Sequence, residues 1–187
     1  MIGANDLRPG MTIELNGEIF SCTEFQHIKP GKGGAFVRLK LKNFSTGAVI
    51  DKTVRPEEKF PLVRISRKPM QYLYQEGGNY YFMDTESYEQ FGLSKDILSS
   101  NVNYLKENME VTVLFHDETI IGIELPVTIE LKVITTEPGF KGNTVSGATK
   151  QAELETGLKV QVPLFVEEGE ILKIDTRTGE YIERVRG

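Results

Sequence analysis

A mostly β protein built of small barrels in series is the fold class that this 187-residue sequence predicts, on three observations. Apolar and polar residues alternate in short runs, the period of a half-buried strand. Tight-turn signals separate the runs: Asn16-Gly17, Thr46-Gly47, Gly77-Gly78-Asn79 and Thr178-Gly179. Only one clear helix candidate stands among them, between Ser94 and Glu107.

Ile13 and Leu15 alternate with polar neighbours, and Asn16-Gly17 returns the chain toward Ile19 as a hairpin. Phe36 to Lys42 alternates with one apolar and one cationic face, and Thr46-Gly47 turns it into Ala48-Val49-Ile50. A second unit begins near Arg64. In it Met70, Tyr72 and Tyr74 alternate, Gly77-Gly78-Asn79 turns, and Tyr80-Tyr81-Phe82-Met83 returns. Ser94 is placed to cap the helix, Asp96 suits its first turn, and Ile97, Leu98, Val102 and Leu105 supply its apolar face. Val111–Phe115 and Ile120–Leu125 form a hairpin about His116-Asp117-Glu118. After Pro126 a third unit alternates at Ile129, Leu131 and Val133, loops through glycine-rich Glu137–Gly147, and adds strands at Val160–Pro163, Ile171–Ile174 and Tyr181-Ile182. The expected domains are residues 1–64, 65–127 and 128–187. Units of roughly 60 residues rich in short strands suggest SH3-like or OB-like barrels, each marginal in core size unless packed on another.

The net charge of −5 argues against a general nucleic-acid coat. The charge is uneven. Residues 1–64 carry 10 basic and 7 acidic side chains, residues 65–127 carry 4 and 10, and residues 128–187 carry 8 and 10. Phe25 to Ile50 contains no Asp or Glu but holds Lys29, Lys32, Arg38, Lys40 and Lys42. At its centre, Lys29-Pro30-Gly31-Lys32-Gly33-Gly34-Ala35 sets Lys32 between glycines at an expected loop tip, a device for pushing one long amine into a polyanionic crevice. Cys22 is the lone cysteine, which excludes a disulfide framework and a thiolate metal cluster. The N-terminus lacks a signal-peptide pattern and no apolar run is long enough for a membrane helix. A soluble, cytoplasmic, monomeric protein with no membrane partner is expected.

Catalytic constellations are wanting. A P-loop needs glycine where Gln26 stands and Ser or Thr where Gly33 stands. Gly139-Phe140-Lys141-Gly142 looks like a KH clamp but lacks helical flanks. His27 and His116 fall in different units without metal-ligand spacing or a nucleophile elbow, and a partly buried strand position is expected for His27. Glu57-Glu58 and Glu167-Glu168 read as solvated turns. Neither an enzyme, a cofactor nor a metal is expected.

Three stretches carry a resemblance: Lys29–Arg38; Glu137–Thr144 with Ser146-Gly147; and Lys150, Ala152, Gly157, Val160, Val162-Pro163, Val166 and Gly169. With them the chain resembles the bacterial elongation factor P family (elongation factor P / initiation factor 5A-like) along its whole length. The resemblance implies an SH3/KOW-like domain followed by two OB-folds. It implies ribosome binding beside the peptidyl-site tRNA, stimulation of peptide-bond formation and relief of stalling at consecutive prolines. Its partners would be the 70S ribosome, the peptidyl-site tRNA and an enzyme that modifies Lys32, the family's tip lysine; a lysine there excludes the arginine-rhamnose type. Lys29, Gly31, Lys32, Gly33, Gly34 and Arg38 match the tRNA-facing loop and its flank, and Tyr181 and Arg184 match an RNA-facing C-terminal pattern. The chain departs from the pattern at Ser99-Ser100-Asn101-Val102-Asn103, where many relatives carry Gly-Asp and a basic residue that recognise the tRNA elbow.

Such a factor needs no catalytic side chain, because holding an acceptor end lowers the entropic cost of alignment while the ribosome does the chemistry. The alternative, an OB-fold single-stranded nucleic-acid-binding protein, calls for exposed aromatics among cations. Here Tyr72, Tyr74, Tyr80 and Phe82 fall in the most acidic unit, which disfavours it.

Overall fold

The computed structural model describes residues 1–31, 33–138 and 147–185. Its first part contains β1 (Ile2–Gly3), β2 (Thr12–Leu15), β3 (Glu18–Ile28), β4 (Phe36–Asn43), β5 (Val49–Val54), β6 (Lys59–Phe60) and β7 (Leu62–Val63). Five of these form an antiparallel sheet in the order β5-β4-β3-β2-β7, while β1 pairs with β6. Asn16 and Gly17 turn β2 into β3 with φ of 54° and 83°, the left-handed pair that a two-residue hairpin of matching twist requires. Along β4, Val37, Leu39 and Leu41 are fully buried, and with Ile13, Phe20 and Cys22 they build the core of this domain. Burial also raises the Cys22 thiol's pKa and keeps it a packing group.

The middle part contains β8 (Ile65–Glu76), β9 (Asn79–Asp84), β10 (Gln90–Ser94), α1 (Lys95–Leu98), a 3-10 segment (Ser99–Tyr104), β11 (Glu110–His116) and β12 (Thr119–Glu124). The strand order is β10-β9-β8-β11-β12. Two expectations need correction here. The helix between Ser94 and Glu107 is one α turn followed by 3-10 structure, and Ser94 closes β10 instead of standing as a free cap. Ser99 adopts φ of 52°, a left-handed conformation that ends an α-helix, and the Ser-Ser-Asn run beside it favours local side-chain bonds over helix. The alternation through Met70, Tyr72 and Tyr74 breaks as well. The register shifts between Tyr72 and Tyr74, so Tyr72 pairs with Phe82 while Tyr74 pairs with Tyr81 on the opposite face. Met70 and Tyr72 are therefore buried, whereas Tyr74 is 39% exposed and stacks on Tyr81 at 4.9 Å.

The last part contains β13 (Thr128–Thr136), β14 (Thr149–Leu154), β15 (Lys159–Pro163), β16 (Ile171–Asp175) and β17 (Tyr181–Val185), in the order β15-β14-β13-β16-β17. Strands β14 and β10 are additional to those expected from alternation: the inward residues of β14 are Lys150, Ala152 and Leu154, a poor imitation of an apolar face, and in β10 Gly92 interrupts Phe91 and Leu93. The architecture is thus three small β domains, each with a five-stranded sheet.

By contacts along the chain the molecule divides into two compact units. One comprises Met1–Lys68, Asp96–Ser99 and Val113–Gly122; the other comprises Pro69–Lys95, Ser100–Thr112 and Ile123–Gly187. Within the second unit, Tyr104 and Met109 pack against the C-terminal core. Lys106 forms a 2.9 Å ion pair with Glu155, whose Oε1 also accepts the Lys132 backbone N–H at 2.9 Å. Burial pushes the Glu155 carboxyl up, but Lys106 and the Lys132 amide outweigh it and hold it below the usual carboxylate range. The segment after the 3-10 turn is thereby held to the C-terminal sheet by apolar and charged contacts together. No helix among the described residues is long and apolar enough to cross a membrane.

Candidate functional site

The longest hairpin of the first domain ends in the lysine loop. Strands β3 and β4 pair as far as Ile28 and Phe36, so residues 29–35 form the connection. Lys29, Pro30, Gly31, Gly33 and Gly34 are exposed there. Lys32 lies outside the described residues. Of the loop's described glycines, Gly33 is the one the backbone demands, with φ of 117°. Around Gly31 and Gly34 an added Cβ would meet nothing within 4 Å, so packing within the fold does not require glycine at either position.

The outward face of β4 separates into paired and unpaired cations. Lys40 Nζ donates to Glu24 Oε1 at 2.7 Å, and Asp51 is its neighbour on β5. The Glu24 hydrogen bond, with the charges of Glu24 and Asp51, raises the Lys40 pKa. Arg38 sits between Gln26 and Thr53, and Lys42 between Ser21 and Val49, all of them neutral. The acid-free window therefore does not deliver its five cations equally. The acids just beyond its ends, Glu24 and Asp51, fold back onto Lys40 and leave Arg38, the β4 cation nearest the tip, among neutral neighbours.

Tyr181 and Arg184 share β17 and line one open cavity of about 630 Å³ with Phe165, Lys173, Glu130 and Glu183. Arg184 is not idle. Its Nη1 donates to Glu170 Oε1 at 2.6 Å, and its guanidinium lies 5.5 Å from the Phe165 ring centre. The Glu167 backbone N–H and then the Arg184 guanidinium hold the Glu170 carboxyl below its usual range. The Arg184 charge is thus already met by Glu170. Phe165, 58% exposed, and Glu170 are the residues that sequence reasoning missed, because neither departs from ordinary loop composition. The tip residues belong to one compact unit and the C-terminal pair to the other.

Other candidates resolve into structure. His27 is on a strand as expected but is exposed rather than partly buried, its Nδ1 2.6 Å from Asn5 Oδ1. The 3-10 segment at Ser99–Asn103 is anchored by Asn101 Nδ2, which donates to the Ile123 carbonyl. Tyr72 and Phe82 face the interior, which removes them from any base-stacking surface. Glu57 and Glu58 are solvated, as are Glu167 and Glu168. The KH-like Gly139–Gly142 run lies outside the described residues.

The stretch from Lys150 to Gly169 has a physical reading in the fold. Lys150, Ala152, Val160, Val162 and Val166 all point into the C-terminal core, and Gly157 and Gly169 turn the chain between strands. That stretch specifies a domain rather than a binding surface. Comparison with known proteins accords with it. Residues 3–60 match the KOW-like domain of elongation factor P, residues 65–123 its OB domain, and residues 129–184 its C-terminal domain. Elongation factor P of Moorella thermoacetica is 57% identical over 98% of this chain and all of its own length. That of Caldicellulosiruptor saccharolyticus is 56% identical over 99% of this chain, and that of Natranaerobius thermophilus 56% over its entirety, each again covered in full. A eukaryotic-type translation initiation factor 5A from Methanococcus jannaschii shares the fold at 21% identity, with a TM-score of 0.50 over 67% of this chain and 90% of that one. With all three domains matched and relatives this similar along their whole length, the chain belongs to the elongation factor P family of translation elongation factors.

Proposed function

We propose that this chain binds the ribosome beside a peptidyl-site tRNA, stimulates peptide-bond formation and so relieves stalling at consecutive prolines. Lys32 is its working side chain in this reading, aided by Lys29, Arg38 and the bare backbone of Gly31, Gly33 and Gly34. Tyr181 and Arg184 form a second contact to RNA. The observation that carries the reading is the β3–β4 hairpin, in whose connection Lys29, Pro30, Gly31, Gly33 and Gly34 are exposed and whose nearest flanking cation on β4, Arg38, faces neutral neighbours. Proline's ring restricts its approach as an acceptor, and a peptidyl-tRNA held at its acceptor end loses less entropy in reaching attack geometry. The domain boundaries proposed with this function are 64/65 and 127/128, and the place of action is the cytoplasm.

Binding measurements test it. Ribosomes carrying peptidyl-site tRNA are expected to bind the chain with an affinity that falls as salt rises, since each phosphate contact releases counterions. Random free RNA is expected to bind weakly, because the net charge is −5 and the cations are localised. Tight binding to naked single-stranded DNA at physiological salt, with none to ribosomes, would favour the OB-fold nucleic-acid binder instead. The proposed modifying enzyme has its own readout: added mass on the Lys32 peptide of protein from the native cell. Fully active native protein with no added mass would show that plain lysine suffices.

A further inference from the structure

Arg8 is held by neutral groups, as Lys68 is by the Phe115 ring, but with a fixed guanidinium fork. Its Nη1 donates to the carbonyl oxygens of Leu7 at 2.6 Å and Asn5 at 3.0 Å, and its guanidinium carbon lies 5.0 Å from the centre of the Phe25 ring. All three partners are neutral. By contrast Lys40, Lys106, Lys159, Lys173, Arg177 and Arg184 each contact a carboxylate. Asp6, in the same turn as Asn5, makes no ion pair with Arg8 among the described residues. A guanidinium has five N–H donors in a rigid fork, so anchoring through one nitrogen leaves the rest of the fork and the full charge for a ligand.

Asn5 links this cation to the tip hairpin. Its carbonyl accepts from Arg8, and its side-chain oxygen meets His27 Nδ1 at 2.6 Å. With hydrogen on Nδ1, His27 donates to Asn5, and in the imidazolium form its Nε2–H is a second donor that can meet an anion. Phe25 and His27 alternate on one face of β3, two residues apart, and the next position on that side of the chain is Lys29 at the start of the loop. Arg8, Asn5 and His27 are all exposed. A fixed, uncompensated guanidinium and an oriented imidazole thus lie along the strand that leads to the tip.

We propose that Arg8, with His27 and Asn5 positioned beside it, forms an anion site at the base of the tip hairpin that takes a phosphodiester of the RNA the tip addresses. The proposal rests on the reading of the chain as a ribosome-bound factor. Guanidinium is suited to this ligand because its fork matches two phosphate oxygens, whereas an ammonium meets them as a point charge.

The test is the salt dependence of full-length protein binding to ribosomes that carry peptidyl-site tRNA. Each phosphate contact contributes about 0.7–0.9 to the slope of log affinity against log salt. Arg8→Gln is expected to lower the slope by about that amount and to weaken binding roughly tenfold at low salt, as for loss of a charged hydrogen bond. Arg177→Gln removes a guanidinium already neutralised by Asp175 at 2.6 Å and is expected to leave the slope unchanged. An unchanged slope for a folded Arg8→Gln protein overturns the proposal, and an equal drop for Arg177→Gln reduces it to diffuse charge. If Arg8→Gln fails to fold, Arg8→Lys carries the test: an unchanged slope with several-fold weaker binding supports the forked contact, and unchanged affinity overturns it. Failure of the unmutated protein to bind ribosomes is a different outcome, which overturns the proposed function itself.

Discussion

Replacement of Lys32 by alanine is expected to remove most of the stimulation of peptide synthesis across a run of prolines while leaving the melting temperature nearly unchanged. The neighbouring loop residues are exposed and the space around Gly31 and Gly34 is empty, so the loop contributes little packing that a truncation could disturb. Surface substitutions of this kind cost within about 0.5 kcal/mol. Synthesis of a proline-free peptide is expected to respond little to either protein. Lys59→Ala is the matched control, since Lys59 is an exposed lysine of the same domain that pairs through its backbone with Gly3 on β1. Equal loss of activity in both variants would mean that the effect is diffuse electrostatics. Unfolding of the first domain by Lys32→Ala would make the lysine structural, and the projecting tip would be the wrong idea.

The largest expected stability effect belongs to Phe82→Ala. Phe82 has no exposed surface and its ring lies 5.4 Å from that of Tyr72. Removing a buried phenyl ring costs the transfer free energy and leaves a cavity, together about 3–5 kcal/mol. Its sequence neighbour is the informative comparison. Tyr81 sits on the other face of the sheet, half-buried, stacked on Tyr74. Aromatic pairing of that kind adds about 0.5–1.5 kcal/mol, with partial burial on top, so Tyr81→Ala is expected to cost clearly less. Urea unfolding of the three proteins, read as the shift of the transition midpoint at constant slope, measures both. A cost for Tyr81→Ala equal to that of Phe82→Ala would contradict the placement of the two rings on opposite faces of β9.

Alone, the sequence determined the fold class and the hairpin turns that build it. Turn chemistry is local, so Asn16-Gly17 could be read directly and its backbone angles follow from the residues themselves. The period of Val37, Leu39 and Leu41 is likewise a property of the strand. Long-range pairing decided the rest. Whether Tyr74 faces inward depended on a one-residue register shift against β9, and a shift of that kind reverses every side chain beyond it. Strand β14 escaped notice because Lys150 takes an inward position that its composition does not advertise. The helix expected from Ser94 stopped at Leu98 because a left-handed Ser99 sets the chain into a 3-10 turn, with Leu98 and Leu105 both still buried. The same division governs charge. Sequence could count the cations of the acid-free window, but only the pairing of β3, β4 and β5 brought Glu24 and Asp51 onto Lys40, left Arg38 among neutral neighbours, and set Arg8 over Phe25. Coulomb interactions depend on distances through space, and those are settled by which strands lie side by side.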